Sequence, residues 1–203
     1  MPPETFRRVE GRTFMQGARK ATESFLHFNT PAGYDDPIGM LLGCHRRIEK
    51  KLATLKALAA HLASKGIDAE ATLAAQAVLR YFSAAAIHHH DDEEKDLFPM
   101  LAQRVANPAE RENLIALETL VCEEHAEIEK IWARIRKPLE AIAEGFMRPL
   151  SQTDVQALAT LYKRHIAAEE RGMLPLMERC LTQSDLRALG RAMAQRRGAP
   201  FSN

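Results

Sequence analysis

The chain has 203 residues, with 28 Lys+Arg against 27 Asp+Glu and a formal net charge of +1. That balance gives no basic field for nucleic acid or an anionic membrane, and no run approaches the roughly 20 apolar residues that a membrane span needs. Cys44, Cys122 and Cys180, an odd set without CxxC spacing, suit a reducing compartment better than a disulfide framework; with no apolar leader, the expectation is a soluble cytoplasmic protein.

In chain order, residues 1–34 mix Gly11, Gly17, Pro31 and Gly33 without a sustained period and read as an N-terminal extension. Asp36-Pro37 is an N-cap followed by a first-turn proline. A helix then carries the apolar stripe Met40, Leu41, Cys44, Ile48, Leu52, Leu55 and Leu58 until Gly66 stops it. Asp68 caps a second helix, which is expected to turn Leu73, Val78, Leu79, Phe82 and Ala86 inward. Pro99 should kink or end it, because proline lacks the N–H and clashes with the preceding turn. Asn107-Pro108 opens a third helix with Leu114, Leu117, Val121, Ile128 and Ile131; Pro138 should bend it, and Gly145 with Pro149 closes it. Ser151 to Asp154 caps a fourth helix, with Leu158, Leu161, Tyr162 and Ile166, which meets Pro175 as the second met Pro99. Ser184-Asp185 starts a short fifth helix, ended by Arg196-Arg197-Gly198. β-branched alternation is absent, so the fold class is all-α.

The chain repeats itself. His45-Arg46-Arg47-Ile48-Glu49-Lys50 returns as His125-Ala126-Glu127-Ile128-Glu129-Lys130. His89 is followed at four and five residues by Glu93-Glu94 and at ten by Pro99; His165 is followed in the same register by Glu169-Glu170 and Pro175. Two helical hairpins, 37–103 and 108–181, would therefore form one bundle over 35–182, with 183–203 as a C-terminal helix and tail. On a helix, residues four apart lie about 40° apart around the axis and about 6 Å along it, so one imidazole and one carboxylate can reach the same ion. His45 to Gly66 and Gly66 to His89 are near-equal legs, each roughly 32–35 Å at 1.5 Å per residue, which returns the two histidines to one height on antiparallel helices.

A single His-x-x-x-Glu pair is most often a solvated helix face. Four of them in repeat register point to a metal site. Imidazoles and carboxylates without thiolate suit iron, manganese or zinc, and six or more donors exceed what one tetrahedral zinc takes. Two carboxylates from opposite helices could bridge two ions, which favours a dinuclear non-haem centre. Off the shared face are His61, His88 and His27, while Glu49 and Glu129 read as surface or supporting groups, Glu129 being the stronger ligand candidate of the two. Asp92, Glu94 and Glu170 are candidates for orienting imidazoles. Cys44 and Cys122 read by default as buried small residues, with a redox-responsive thiol as the alternative. Tyr81, Phe82, Tyr162 and Trp132 read mostly as core.

His45 with Ile48-Glu49, His89-His90 with Glu93-Glu94 and Leu97-Phe98-Pro99, His125, and His165 with Glu169-Glu170 and Leu174-Pro175 resemble the haemerythrin-like, or HHE cation-binding, domain over about residues 35–180. The resemblance implies an up-down-up-down four-helix bundle around two non-haem iron ions with an oxo or hydroxo bridge. It implies His45, His89, Glu93, His125, His165 and Glu169 as ligands, Glu93 and Glu169 bridging, and His90 as a further donor used by some relatives. Two departures set the chain apart from the oxygen carriers. Glu129 stands where they have a second helix-3 histidine, and Glu169 serves where they place an aspartate one residue further on.

The expected function is binding or sensing of O₂ or NO, or a response to iron or redox state, with a diatomic molecule or peroxide as partner. A di-iron enzyme acting on peroxide, NO or ferrous iron is the first alternative; a structural metal stapling the bundle is the second. Ferritin-type sites use Glu-x-x-His, the reverse order, and the His-Glu-x-x-His of metalloproteases is missing.

Overall fold

A computed structural model describes residues 32–201. The expected N-terminal extension, and His27 with it, lies outside the described residues apart from 32–34. The described chain forms five helices and no strand. Helix α1 is Pro37–Lys65 and α3 is Pro108–Ala143. Helix α2 is a continuous rod over 69–104 and α4 one over 152–180, and α5 is Gln183–Arg196. The four long helices pack in a ring, α1 and α3 each touching both α2 and α4, while α5 lies against α1 and α2.

Local chemistry sets the ends. Asp36, Asp68, Asn107 and Ser151 each accept a backbone N–H of the first turn they open, removing one of the donors that a helix start leaves open. Gly66 ends α1 at φ +79°, a left-handed conformation that side chains with a Cβ resist. The fifth helix starts slightly earlier than expected: Thr182, not Ser184 or Asp185, is its cap. Thr182 and Asp185 form a reciprocal capping box, so Asp185 belongs inside the first turn.

Neither Pro99 nor Pro175 ends its helix. Each comes after a π turn, Glu93–Leu97 and Glu169–Met173, and the helix then continues to Arg104 and Cys180. Phe98 N–H bonds Glu93 C=O, and Leu174 N–H bonds Glu169 C=O. This wider i→i+5 turn accommodates the proline that a tight α turn would not. A third π turn, Tyr81–Ala85, precedes His89 in α2. Pro138 lies inside an uninterrupted α3.

Two apolar clusters divide the interior. One joins Ile48 through Leu62, Ala71 through Ala86, Ile128 through Ile142 and Val155 through Ile166. The other joins Leu41, Leu97, Phe98, Val121, Met173, Leu189 and Met193. On every long helix the histidine or glutamate of interest falls at the junction of the two. Leu73 departs from expectation: it is 65% exposed, because it lies in the first turns of α2, outside the ring's apolar face. No helix among the described residues is long and apolar enough to cross a membrane.

Candidate metal centre

The junction layer holds His45, His89, Glu93, His165 and Glu169, all fully buried, and His125 at 5% exposure. In two groups, one donor atom per residue falls within 4.8 Å of the others: His45, His89, Glu93 and Glu169, and Glu93, His125, His165 and Glu169. His90 joins His125 and His165 in a third such group. Its ring stacks on that of His125 with centroids 3.8 Å apart, and its Nε2 is enclosed without a partner. All seven residues that the sequence nominates as ligands therefore converge.

The two carboxylates each face both sides. Glu169 Oε1 lies 2.8 Å from His165 Nε2, and Oε2 lies 3.0 Å from His45 Nε2. Glu93 Oε1 lies 3.5 Å from His89 Nε2, and Oε2 lies 3.4 Å from His125 Nε2. His125 Nε2 and His165 Nε2 are 3.0 Å apart. Two ligands about 2.1 Å from one ion and at a right angle would stand about 3.0 Å apart, so these separations would let the paired donors share an ion.

Outward nitrogens are held by carboxylates. His125 Nδ1 pairs with Glu94 at 2.6 Å, His45 Nδ1 with Glu170 at 3.1 Å, and His165 Nδ1 with Glu124 at 3.0 Å. An imidazole whose Nδ1–H is donated outward keeps the lone pair of Nε2 for the interior. Glu94 and Glu170 do what their repeat positions suggest. Asp92 does not: it is occupied by Arg196 and Arg197. Glu124 escapes the sequence pattern. It sits beside His125 in sequence yet serves His165 on another helix, and Arg164 holds its second oxygen at 2.5 Å; only packing reveals that.

His89 differs. Neither ring nitrogen has a partner, and the same is true of both oxygens of Glu93 and of Glu169 and of Nε2 of His45. Some of these atoms stand close together, but without hydrogen-bond geometry. A buried polar group left unsatisfied costs about 1–3 kcal/mol, so a cation among these atoms would remove a substantial penalty. Ionisation points the same way. Burial, then the neighbouring Glu169, pushes the Glu93 carboxyl well up. Burial would also raise Glu169, but the His165 and His45 rings, 2.8 and 3.0 Å away, outweigh it and hold that carboxyl down. Burial depresses His89 and His90 strongly and His125 to a lesser degree, which keeps these three imidazoles in the neutral form that binds metal; at His165 burial is outweighed by Glu169 and Glu124, which raise it. The donor set fits two cations sharing two carboxylates.

Other histidines and acids fall outside. His61 bonds Asp68 at 2.8 Å beside the turn between α1 and α2. His88 is half-buried and belongs to none of the donor groups, and Glu49 and Glu129 are exposed. Cys44 is buried, accepting from Arg47 Nη2 at 3.0 Å through its sulfur; Cys122 and Cys180 are partly exposed, and all three thiols are free. Tyr81 donates to the Cys44 carbonyl at 3.2 Å. Tyr162 is buried, and Phe82 lies against Tyr162 and Trp132.

Comparison with known proteins decides the family. The Hemerythrin HHE cation binding domain matches residues 36–177. The chain belongs to the haemerythrin HHE family. This haemerythrin-like chain is also similar to a protein of Haemophilus influenzae, 31% identical over 169 residues, which cover 82% of this chain and 92% of that one. The span that matches the cation-binding domain contains every member of the buried donor layer.

Proposed function

We propose that the chain is a non-haem di-iron protein, built as an up-down-up-down four-helix bundle, that binds or senses O₂ or NO or responds to iron and redox state. One observation carries the reading: Glu93 and Glu169 each turn one oxygen toward the histidines of one side and the other toward those of the opposite side. A single structural ion would need one such face. His45 and His89 would hold one ion, His125, His165 and His90 the other, and Glu93 and Glu169 both, with an oxo or hydroxo bridge completing the pair.

Bound iron would supply reversible one-electron chemistry and positions open to a small molecule. The chain's own groups do the rest. Glu94, Glu124 and Glu170 fix ring orientation through Nδ1. The apolar clusters on both sides keep the layer out of bulk water, so its polar contacts act in a low dielectric. The partner is a diatomic molecule or peroxide, with neither nucleic acid nor membrane engaged. Three free thiols and no membrane-spanning helix among the described residues support a cytoplasmic setting.

Metal analysis and optical spectra of protein purified with and without air, then exposed to O₂, NO and peroxide, test this. We expect iron and a reversible spectral change with O₂ or NO. Rapid turnover of peroxide or NO would move the chain to the enzyme alternative; bound zinc without any spectral response would sink both.

A further inference from the structure

Helix α5 is tied to the helix that carries His89 and Glu93, and at two points. Near its start, Asp185 takes Arg104 Nε at 2.9 Å and Nη2 at 2.7 Å. At its end, Arg197 grips both oxygens of Asp92, at 3.1 Å from Nη1 and 2.5 Å from Nη2. Arg196 bonds the same Asp92 and reaches Asp96 at 2.5 Å, with Asp91 3.9 Å from its Nε. Asp92 is 1% exposed and directly precedes Glu93.

The two ties are equally spaced on both helices. Asp92 to Arg104 and Asp185 to Arg197 are each twelve residues, or about 18 Å at 1.5 Å per residue. Between the ties on α2 lies the π turn Glu93–Leu97, against which α5 packs. A π turn holds one residue more than an α turn, so relaxing it would rotate the N-terminal part of α2 by about 100° relative to its C-terminal part. A helix fastened on both sides of the turn opposes that rotation, and the planar guanidinium fork fixes direction as well as distance. The equivalent turn in α4, Glu169–Met173, packs against α3. There an exposed arginine, Arg46, reaches Glu170 at 3.4 Å.

We propose that Arg196 and Arg197 are positioning residues for the metal centre: gripping Asp92 and Asp96, they make α5 a splint across the π turn that aims Glu93 inward. This rests on the metal reading above, since the purpose of the splint is the placement of a shared ligand. It assigns a role to two arginines more than a hundred residues from that ligand.

The test uses the full chain with R196Q/R197Q, with the triple variant R196Q/R197Q/D92N, and with R196K/R197K. The triple variant leaves no stranded buried carboxylate, so its defect reports the lost splint. Hydrogen exchange is read on metal-free protein, and iron affinity by titration. In the triple variant we expect exchange at residues 93–97 to speed up by about tenfold, with 169–173 unchanged. Iron affinity should fall by about tenfold or more, and the lysine pair should restore part of both. Unchanged exchange at 93–97, or an equal rise at both π turns, would overturn the proposal by making the arginines ordinary stabilisers. A wild-type chain that takes up no iron would sink the metal reading, and the exchange contrast would still decide whether α5 holds the turn.

Discussion

The two hairpins supply the same primary donors and support them differently. Each gives a lone histidine, a His-x-x-x-Glu pair and a π turn beginning at that glutamate. Each also lends the other a carboxylate: Glu94 of the first holds His125, and Glu170 of the second holds His45. Beyond this the copies diverge. Glu124 backs His165, but the matching residue before His45 is Cys44, and His89 is left without a partner at Nδ1. His90 enters the layer where the second copy has Ile166. The first copy's π turn is splinted by α5. A duplicated scaffold thus places matched donors in unequal settings: the His125–His165 side has the better-backed imidazoles, the His45–His89 side the better-braced backbone.

The largest expected effect comes from breaking either half's ligands. His89→Ala or His165→Ala should remove most of the metal, and His61→Ala should remove none, because His61 pairs with Asp68 away from the layer. Chelation should lower the melting temperature. Ligand held 100-fold above its Kd adds about 2.7 kcal/mol, and an unfolded chain cannot assemble ligands spread from His45 to Glu169. Equal metal loss from all three variants would show that the layer does not bind the metal.

A sharper contrast comes from the groups behind the rings. Glu124→Gln should weaken metal binding by about 10–100-fold, since it removes the charge between Arg164 and His165. Cys44→Ala should leave affinity nearly unchanged, because the thiol is engaged by Arg47 rather than by a ligand. Titration of both variants decides; similar losses would make the two halves equivalent after all.

The seat of α5 should be sensitive to one atom. A Cβ at Gly190 would lie 1.8 Å from the Tyr34 carbonyl oxygen, so Gly190→Ala must push helix and chain apart, at about 1–3 kcal/mol as for other overpacked sites. Thermal melts read this, and an unchanged melting temperature would mean that α5 is not packed as described.

The smallest effect is the pH dependence of the Arg104–Asp185 tie. The guanidinium, then the Thr182 hydroxyl and N–H, holds the Asp185 carboxyl far below its usual range. A depressed folded-state value stabilises above the unfolded value, about 3.9, and that stabilisation is lost as pH falls through the folded one. Arg104→Gln should therefore reduce stability at neutral pH and flatten acid sensitivity below about pH 4. Asp185 itself is buried, but Arg104 is about half exposed, and the solvent around its guanidinium keeps the change small. Parallel acid-denaturation curves for variant and wild type would remove this contribution.

Caps, stripes and the donor positions are legible in the sequence because each is a short-range pattern. Asp36, Asp68, Asn107 and Ser151 announce their helices locally, and the His45/His125 and His89/His165 registers are visible as a repeat. The π turns are not legible. Pro99 and Pro175 announce a disturbance, but whether a helix ends or widens depends on packing such as that of Leu97, Phe98 and Met173 in the second core. Glu124 and the Arg196–Arg197 pair stay hidden because their partners lie on other helices. Glu129, the stronger ligand candidate of the two exposed acids, faces solvent, since its helix aims His125 and Ile128 inward.

The most direct test is an anaerobic ferrous titration of the metal-free protein, with bound iron counted per chain. Because Glu93 and Glu169 each face histidines on both sides, we predict about two ions per chain, with the Glu93→Gln and Glu169→Gln variants each weakening both. Saturation at one ion, with either variant leaving it undisturbed, would contradict a shared two-ion centre.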